Sequence, residues 1–122
     1  MSKILLDIKD VFKKSKVLIT GHTGFKGSWL ALWLNLLGAE VYGVSNEVPT
    51  KPSHFELAYI SELIKHINLD IKDYKNLDKL INEIQPNFIF HLAAQPIVKE
   101  SFVDPINTWE TNTFGTLNLL DI

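Results

Sequence analysis

A chain of 122 residues, 46% hydrophobic and 21% charged, has the size and balance of one packed domain, well away from disordered or collagen-like compositions. Its 12 basic residues are all lysine, and against 14 acidic ones they leave a net charge of −2 without a basic stripe, so nucleic acid is not an expected partner. Cysteine is absent, which removes disulfides, thiolate metal sites and a cysteine nucleophile and makes a cytoplasmic setting the expectation.

The N-terminal segment interleaves Lys and Asp with Ile4, Leu5, Leu6, Ile8, Val11 and Phe12, so it lacks the unbroken apolar stretch of a secretory signal. Helical spacing of those apolar positions predicts a short amphipathic helix over Ser2–Lys13, and residues 1–15 are expected to lie outside the main sheet. Lys16–Thr20 is a short apolar strand running into a glycine loop, and Lys26–Leu37 reads as a helix stopped by Gly38. Trp29, Leu30, Trp33, Leu34 and Leu37 are expected to form its core side. This most apolar stretch is broken by Asn35 and closed by Gly38, far short of the roughly 20 residues that cross a bilayer, and no membrane partner is expected.

Glu40–Ser45 is the next strand; residues 46–53, with Pro49 and Pro52, are a loop; His54–Leu63 reads as helix. His66–Leu69 is a third strand, after which Tyr74, Leu77, Leu80, Ile81 and Ile84 mark one face of a helix that ends before Pro86. Asn87–Ala93 is a buried-type strand, and Asp104-Pro105 has the chemistry of a helix N-cap and first position for a helix running toward the C-terminus. Strands alternating with helices at this spacing predict an α/β fold. Residues 16–122 are expected to form a Rossmann-type parallel sheet with helices on both faces, order 3-2-1-4, truncated after about four strands.

Gly21, Gly24 and Gly27 sit between a strand and a helix, the context in which such spacing points to a dinucleotide. Gly21 lets the chain leave the strand sharply, Gly24 admits phosphate close to the backbone, and Gly27 lets the helix pack tightly. The free amides and positive dipole end of the helix then receive a pyrophosphate, with Lys26 adding a cation nearby. The Walker pattern is not met, since Gly27 is followed by Ser28. An acidic residue roughly 20 positions after the loop holds the ribose diol in many such domains; here the second strand ends at Ser45-Asn46 with Glu47 just beyond. Without arginine to clamp a 2′-phosphate, NAD is favoured over NADP, Lys51 being the nearest substitute.

The glycine spacing, Asp70-Ile71 after the third strand and His91-Leu92-Ala93-Ala94-Gln95 ending the fourth together resemble the extended short-chain dehydrogenase/reductase family acting on nucleotide sugars. Phe25-Lys26-Gly27-Ser28-Trp29, the Ala93–Pro96 turn and Asp104-Pro105 followed by Thr111-Asn112 are most similar to its 4,6-dehydratases, those acting on CDP-glucose in particular. The resemblance implies NAD as cofactor and a nucleotide sugar as substrate. It places Asp70 and Ile71 at the adenine, Ala93 and Ala94 along the nicotinamide half, and Leu92 and Thr111 near the cofactor. Gln95 would border both cofactor and sugar, the sugar side running on to Ser101. Thr23, Phe25 and Ser45 complete the expected cofactor set around the three glycines and Lys26. The implied reaction is a redox-neutral dehydration in which hydride leaves C4 of the sugar, water is lost across C5 and C6, and the hydride returns to C6.

The acid–base machinery of that chemistry, a Tyr-x-x-x-Lys pair with a Ser or Thr and acidic groups, is not expected here. Tyr42, Tyr59 and Tyr74 are followed four positions on by Asn46, Leu63 and Asp78, so no lysine stands one helical turn away to lower a tyrosine pKa. Hence no catalytic residue is assigned, the chain is not expected to be active alone, and it reads as part of a longer protein lacking its substrate domain. His22, His54, His66 and His91 show no ligand spacing, and no metal site is expected. The strand Asn87–Ala93 would lie at a sheet edge, which predicts self-association into a homo-oligomer.

Overall fold

The strands Lys16–Thr20 (β1), Glu40–Ser45 (β2), Lys65–Asn68 (β3) and Phe88–His91 (β4) pair in parallel in the order β3-β2-β1-β4, the sequence-derived 3-2-1-4. This computed structural model describes residues 3–122, with the side chains of Leu5 and Leu6 outside that description. The expected helix start at Ser2 and the apolar contributions of Leu5 and Leu6 therefore lie outside the described residues.

β1 is central because its residues are apolar on both faces, as a strand covered twice requires. Val17, Leu18 and Ile19 are fully buried. Alternation sends Val17 and Ile19 to one face, among Ala31, Leu34, Leu37, Phe55 and Ile60, and Leu18 to the other, with Val44, Ile71, Leu77 and Ile84. The first face carries Phe25–Leu36 (α2), His54–Leu57 (α3) and Ile60–Leu63 (α4); the second carries Tyr74–Ile84 (α5) and Gly115–Asp121 (α8). The N-terminal helix Lys3–Phe12 (α1) adds Ile8 and Phe12 to the first face, the Phe12 ring lying 5.1 Å from that of Phe88.

Several expectations change in detail. The single helix expected over His54–Leu63 is two short ones, because Tyr59 adopts a left-handed φ of 51° between them. A helix at Val98–Val103 (α6) was not expected. The last helical stretch is composite: Pro105–Trp109 (α7), a wider π-type turn over Glu110–Phe114, and then α8. β4 is not a buried-type strand, since Phe88 and Ile89 are 37% and 41% exposed at the sheet edge.

Trp29 and Trp33 are also not core residues, being 50% and 47% exposed. The face of α2 that meets the sheet is instead built from Gly27, Ser28, Ala31 and Leu34, and the small residues at 27, 28 and 31 let the helix axis approach β1. The bulky residues are thereby rotated outward.

The Asp104 cap forms as read, its carboxylate accepting the Asn107 N–H at 3.0 Å with Pro105 in the first turn. Asp104→Ala is expected to cost about 1 kcal/mol, measurable by urea unfolding. An unchanged midpoint would remove this cap from the account.

Candidate functional site

The carboxyl ends of β1, β2, β3 and β4 open into one cavity of about 950 Å³, the position at which open parallel sheets bind ligands. Every residue assigned from sequence to the cofactor lines it, from Gly21, Thr23, Gly24, Phe25, Lys26 and Gly27 through Ser45, Asp70 and Ile71 to Leu92, Ala93, Ala94, Gln95 and Thr111. Sequence reasoning gave no role to Asn46, Val48, Asn107 or Thr108, which line it as well. Asn107 and Thr108 sit in the first turns of α7, so the Asp104-Pro105 signal contained them.

The glycine loop is built by close approaches. Gly21 has a φ of +74°, and a Cβ there would lie 2.6 Å from the Ala93 nitrogen, so the loop is pressed on the end of β4. A Cβ on Gly27 would lie 2.1 Å from the Gly21 carbonyl oxygen. Gly24 differs: its Cβ would meet only the Gly21 oxygen, at 3.4 Å, with open space beyond. Gly24 is also the N-cap of α2 and supplies no side-chain acceptor, so the first-turn amides of that helix keep the unmet donors and positive end that suit an anion. These features fit a pyrophosphate group.

Thr23 does not aim a free hydroxyl at that space. It is 3% exposed, lies 2.7 Å from the Ser45 hydroxyl and donates to the Glu47 carbonyl at 2.5 Å. Thr23 and Ser45 thus tie the glycine loop to the end of β2. Asp70 stands across the cavity, where its carboxylate accepts the Lys72 N–H at 2.9 Å and the Asn46 amide at 3.2 Å. The α5 cap is Asp73, which accepts the Asn76 N–H at 3.2 Å. Asp70 therefore closes a turn locally and still faces the cavity.

The β4 end is held by a chain of hydrogen bonds whose polarity can be worked out. Thr20 Oγ1 accepts from the N–H groups of Leu92 and Ala93, each at 3.2 Å, so its own proton goes to His91 Nδ1 at 2.6 Å. His91 then carries its proton on Nε2 and donates to Thr116 Oγ1 at 2.9 Å, which in turn donates to the Asn112 carbonyl. Burial holds His91 below the ordinary histidine pKa. Gln95 is fixed from the other side: its N–H donates to Asn112 Oδ1 at 2.8 Å, and Asn112 returns a bond to the Gln95 carbonyl at 3.0 Å.

The sequence gives His22 no role beyond its lack of metal-ligand spacing. Fully buried, it places Nε2 2.7 Å from His66 Nδ1, while its own Nδ1 has no hydrogen-bond partner. Its pKa is lowered to about 4, chiefly by burial, with charge on His66 a smaller cause in the same direction and the Val44 carbonyl opposing both. His54 lies apart, 2.9 Å from Ser28 Oγ and stacked on Trp29. Among the described residues no three metal-ligating side chains cluster.

One tyrosine does meet a lysine: Lys65 Nζ donates to the Tyr42 hydroxyl at 2.9 Å. The partner comes from the neighbouring strand, not from the next helical turn considered in the sequence. Tyr42 sits opposite the first residue of β3 and the pair does not line the cavity, so it serves the sheet, with Glu40 accepting from both residues.

Over residues 18–122 the chain matches the family model described as GDP-mannose 4,6 dehydratase. It is 45% identical over 113 residues to the CDP-glucose 4,6-dehydratase of Salmonella typhimurium, covering 93% of this chain and 32% of that protein. Among solved structures it is similar to an epimerase of Methanothermobacter thermautotrophicus, with TM-score 0.81, 28% identity, and coverage of 98% of this chain and 34% of that one. It is also similar to the UDP-glucose 4-epimerase of Thermus thermophilus in complex with NAD, with TM-score 0.75, 32% identity, and coverage of 87% and 32%. The chain spans about a third of the length of these relatives. No described helix is long and apolar enough to cross a membrane.

Proposed function

The chain belongs to the GDP-mannose 4,6 dehydratase family, and from that premise we propose that it is the NAD-holding, N-terminal portion of a nucleotide-sugar 4,6-dehydratase whose substrate is CDP-glucose. The observation that carries this reading is the open space before Gly24, where the uncapped start of α2 heads a cavity rimmed on its far side by Asp70. The substrate assignment is supported by 45% identity to a protein named CDP-glucose 4,6-dehydratase, and the cofactor by neighbours solved with NAD.

In this reading the first-turn amides of α2 bind the pyrophosphate, and Lys26 lends a positive charge. Asp70 and Asn46 orient the adenosine end. Ala93 and Ala94 are small, and with the Ala93 N–H held by Thr20 they leave room for the nicotinamide ring. Bound NAD would supply a reversible hydride acceptor for a dehydration that is redox-neutral overall. Residues of this chain bind and orient; the proton-moving groups belong to parts of the longer protein, and the chain alone is proposed to be inactive. Residues 16–122 are the proposed cofactor domain, with 1–15 an appended N-terminal segment, in a cytoplasmic homo-oligomer. A second reading, an epimerase of the same wider family, is favoured by the epimerases among the similar structures and relatives.

Thermal unfolding with added dinucleotide tests the proposal. A ligand at about 100 times its dissociation constant adds about 2.7 kcal/mol, so NAD is expected to raise the melting temperature on the order of 10 °C. The carboxylates of Glu47 and Asp70 line the cavity and no arginine is present, so NADP is expected to raise it less. A melting temperature indifferent to NAD would sink the assignment. In the longer protein, consumption of CDP-glucose but not GDP-mannose tests the substrate.

A further inference from the structure

Where β4 stops at His91 the chain leaves the sheet, and the peptide groups of the next few residues lose their strand partners. Leu92, Ala93, Ala94 and Gln95 all line the cavity, so the way they are held decides the shape of that wall. Asn112, in the wide turn over Glu110–Phe114, does not line it. We propose that Asn112 is a positioning residue that fixes this wall for the nicotinamide ring, a role that rests on the reading of the cavity as an NAD site.

Both ends of the segment hang from Asn112. At the far end its side-chain amide meets the backbone of Gln95 twice: the Gln95 N–H donates to Oδ1 at 2.8 Å, and Nδ2 donates to the Gln95 carbonyl at 3.0 Å. A peptide N–H only donates and a carbonyl only accepts, so one orientation of the amide satisfies both, and the side chain stands in for a missing strand. At the near end the Thr116 hydroxyl donates to the main-chain carbonyl of Asn112 at 2.9 Å. That hydroxyl accepts from His91 Nε2, and His91 Nδ1 accepts from Thr20, whose oxygen holds the N–H groups of Leu92 and Ala93. Every bond in this relay points the same way, an arrangement in which each bond polarises the next. The contacts close into a ring that begins and ends at one residue, with Ala93 and Ala94 spanning it.

The Gln95 side chain is used inside the same turn. Its Nε2 donates to Thr108 Oγ1 at 2.9 Å and to the Ile97 carbonyl at 3.2 Å, and its Oε1 accepts the Ile97 N–H at 2.7 Å. It braces the turn and offers no free amide to a ligand. What the wall presents is then the small side chains of Ala93 and Ala94, on a backbone that cannot shift without breaking its bonds to Asn112. A flat ring is positioned by surfaces that do not yield, and a residue that locks such a surface acts without touching the ring.

Titration calorimetry of the 122-residue chain with NAD and with ADP-ribose, which keeps the adenosine and pyrophosphate but lacks the ring, reads the role. NAD is expected to bind the wild-type chain about 10-fold more tightly than ADP-ribose, and Asn112→Ala is expected to bring the two within about twofold, a loss of the size of one net hydrogen bond. The affinity for ADP-ribose is expected to stay as it was, a split that a general loosening of the fold would not produce. Thr113→Ala, in the same wide turn and exposed, is expected to keep the wild-type ratio. Should Asn112→Ala fail to fold, amide exchange in the wild-type chain reads the clamp instead. The Gln95 N–H is expected to be protected at least ~10-fold more than that of Ala94, for which no acceptor stands among the described residues. Equal protection of the two amides, a preference for NAD that survives Asn112→Ala, equal affinities in the wild type, or affinities for both ligands that fall together each overturns the proposal. If neither ligand binds the wild-type chain, the cofactor reading itself falls and takes this role with it.

Discussion

Gly24→Val is expected to weaken NAD binding at least ~100-fold while moving the melting temperature of the unliganded chain by no more than ~5 °C. The reason lies in what surrounds each glycine. Gly24 has φ −72° and ψ 168°, an extended conformation any residue adopts, and an added Cβ meets nothing closer than 3.4 Å. The backbone therefore tolerates valine, at a cost of about 1 kcal/mol for a poorer helix cap. The same branched side chain fills the space through which a pyrophosphate would approach the amides of α2. A ~100-fold loss corresponds to about 2.7 kcal/mol, reasonable for displacing a ligand from its main anchor. Gly27→Ala is the contrasting control: with the Gly21 oxygen 2.1 Å from the new Cβ, helix and loop must separate, and stability should fall along with binding. Titration calorimetry and thermal melts of both variants separate the two effects. NAD affinity unchanged in Gly24→Val would mean the dinucleotide does not use this loop.

Acid is expected to destabilise the chain well above the pH at which ordinary carboxylates protonate. His22 has its pKa lowered from 6.5 to about 4 in the folded state, so the unfolded chain takes up that proton first. The stability linked to it is complete above pH 6.5 and is lost as pH falls toward 4. The shift corresponds to ~3 kcal/mol, a large share of a small domain's stability. His91 works in the same direction: burial lowers its pKa, and its Nδ1 must remain unprotonated to accept the Thr20 hydroxyl. Urea unfolding at pH 7.5, 6.5, 5.5 and 4.5 reads the effect directly. His22→Asn should be less stable at neutral pH and flatter with pH. A wild-type midpoint constant between pH 7.5 and 4.5 would contradict the burial of a neutral His22.

The course of the sheet could be read from the chain because its signals are local. Glu40–Ser45 is a short run bounded by Gly38-Ala39 and a proline loop, and it forms over those same residues. Gly38 takes a φ of +86° just past α2, as a helix-ending glycine does. The cofactor set converged for the same reason, since strand ends in a parallel sheet fall at one rim once the order is known. What escaped was non-local or depended on rotation about a helix axis. His22 and His66 are 44 residues apart and meet at 2.7 Å, which no spacing rule anticipates. Trp29 and Trp33 were assigned inward because they are apolar. The close approach of the first turns of α2 to β1 instead selects small residues such as Gly27 and Ala31, a constraint set by the partner surface. The break at Tyr59 needs a left-handed residue that is neither glycine nor asparagine, so its sequence carried no warning.

The wide turn at Glu110–Phe114 acts as a phase shifter in the last helical stretch. It holds one residue more than a regular turn would, so α7 and α8 present their faces independently: Asn107 and Thr108 to the cavity, and Gly115, where a Cβ would lie 2.4 Å from Ile71 Cδ1, to the apolar cluster that Ile71 shares with Leu18 and Leu77. Deleting Thr113 there would swing everything downstream by about 100°, carrying Thr116 off His91 and Gly115 off Ile71 without removing any side chain that lines the cavity. Length in this segment is therefore constrained more tightly than composition.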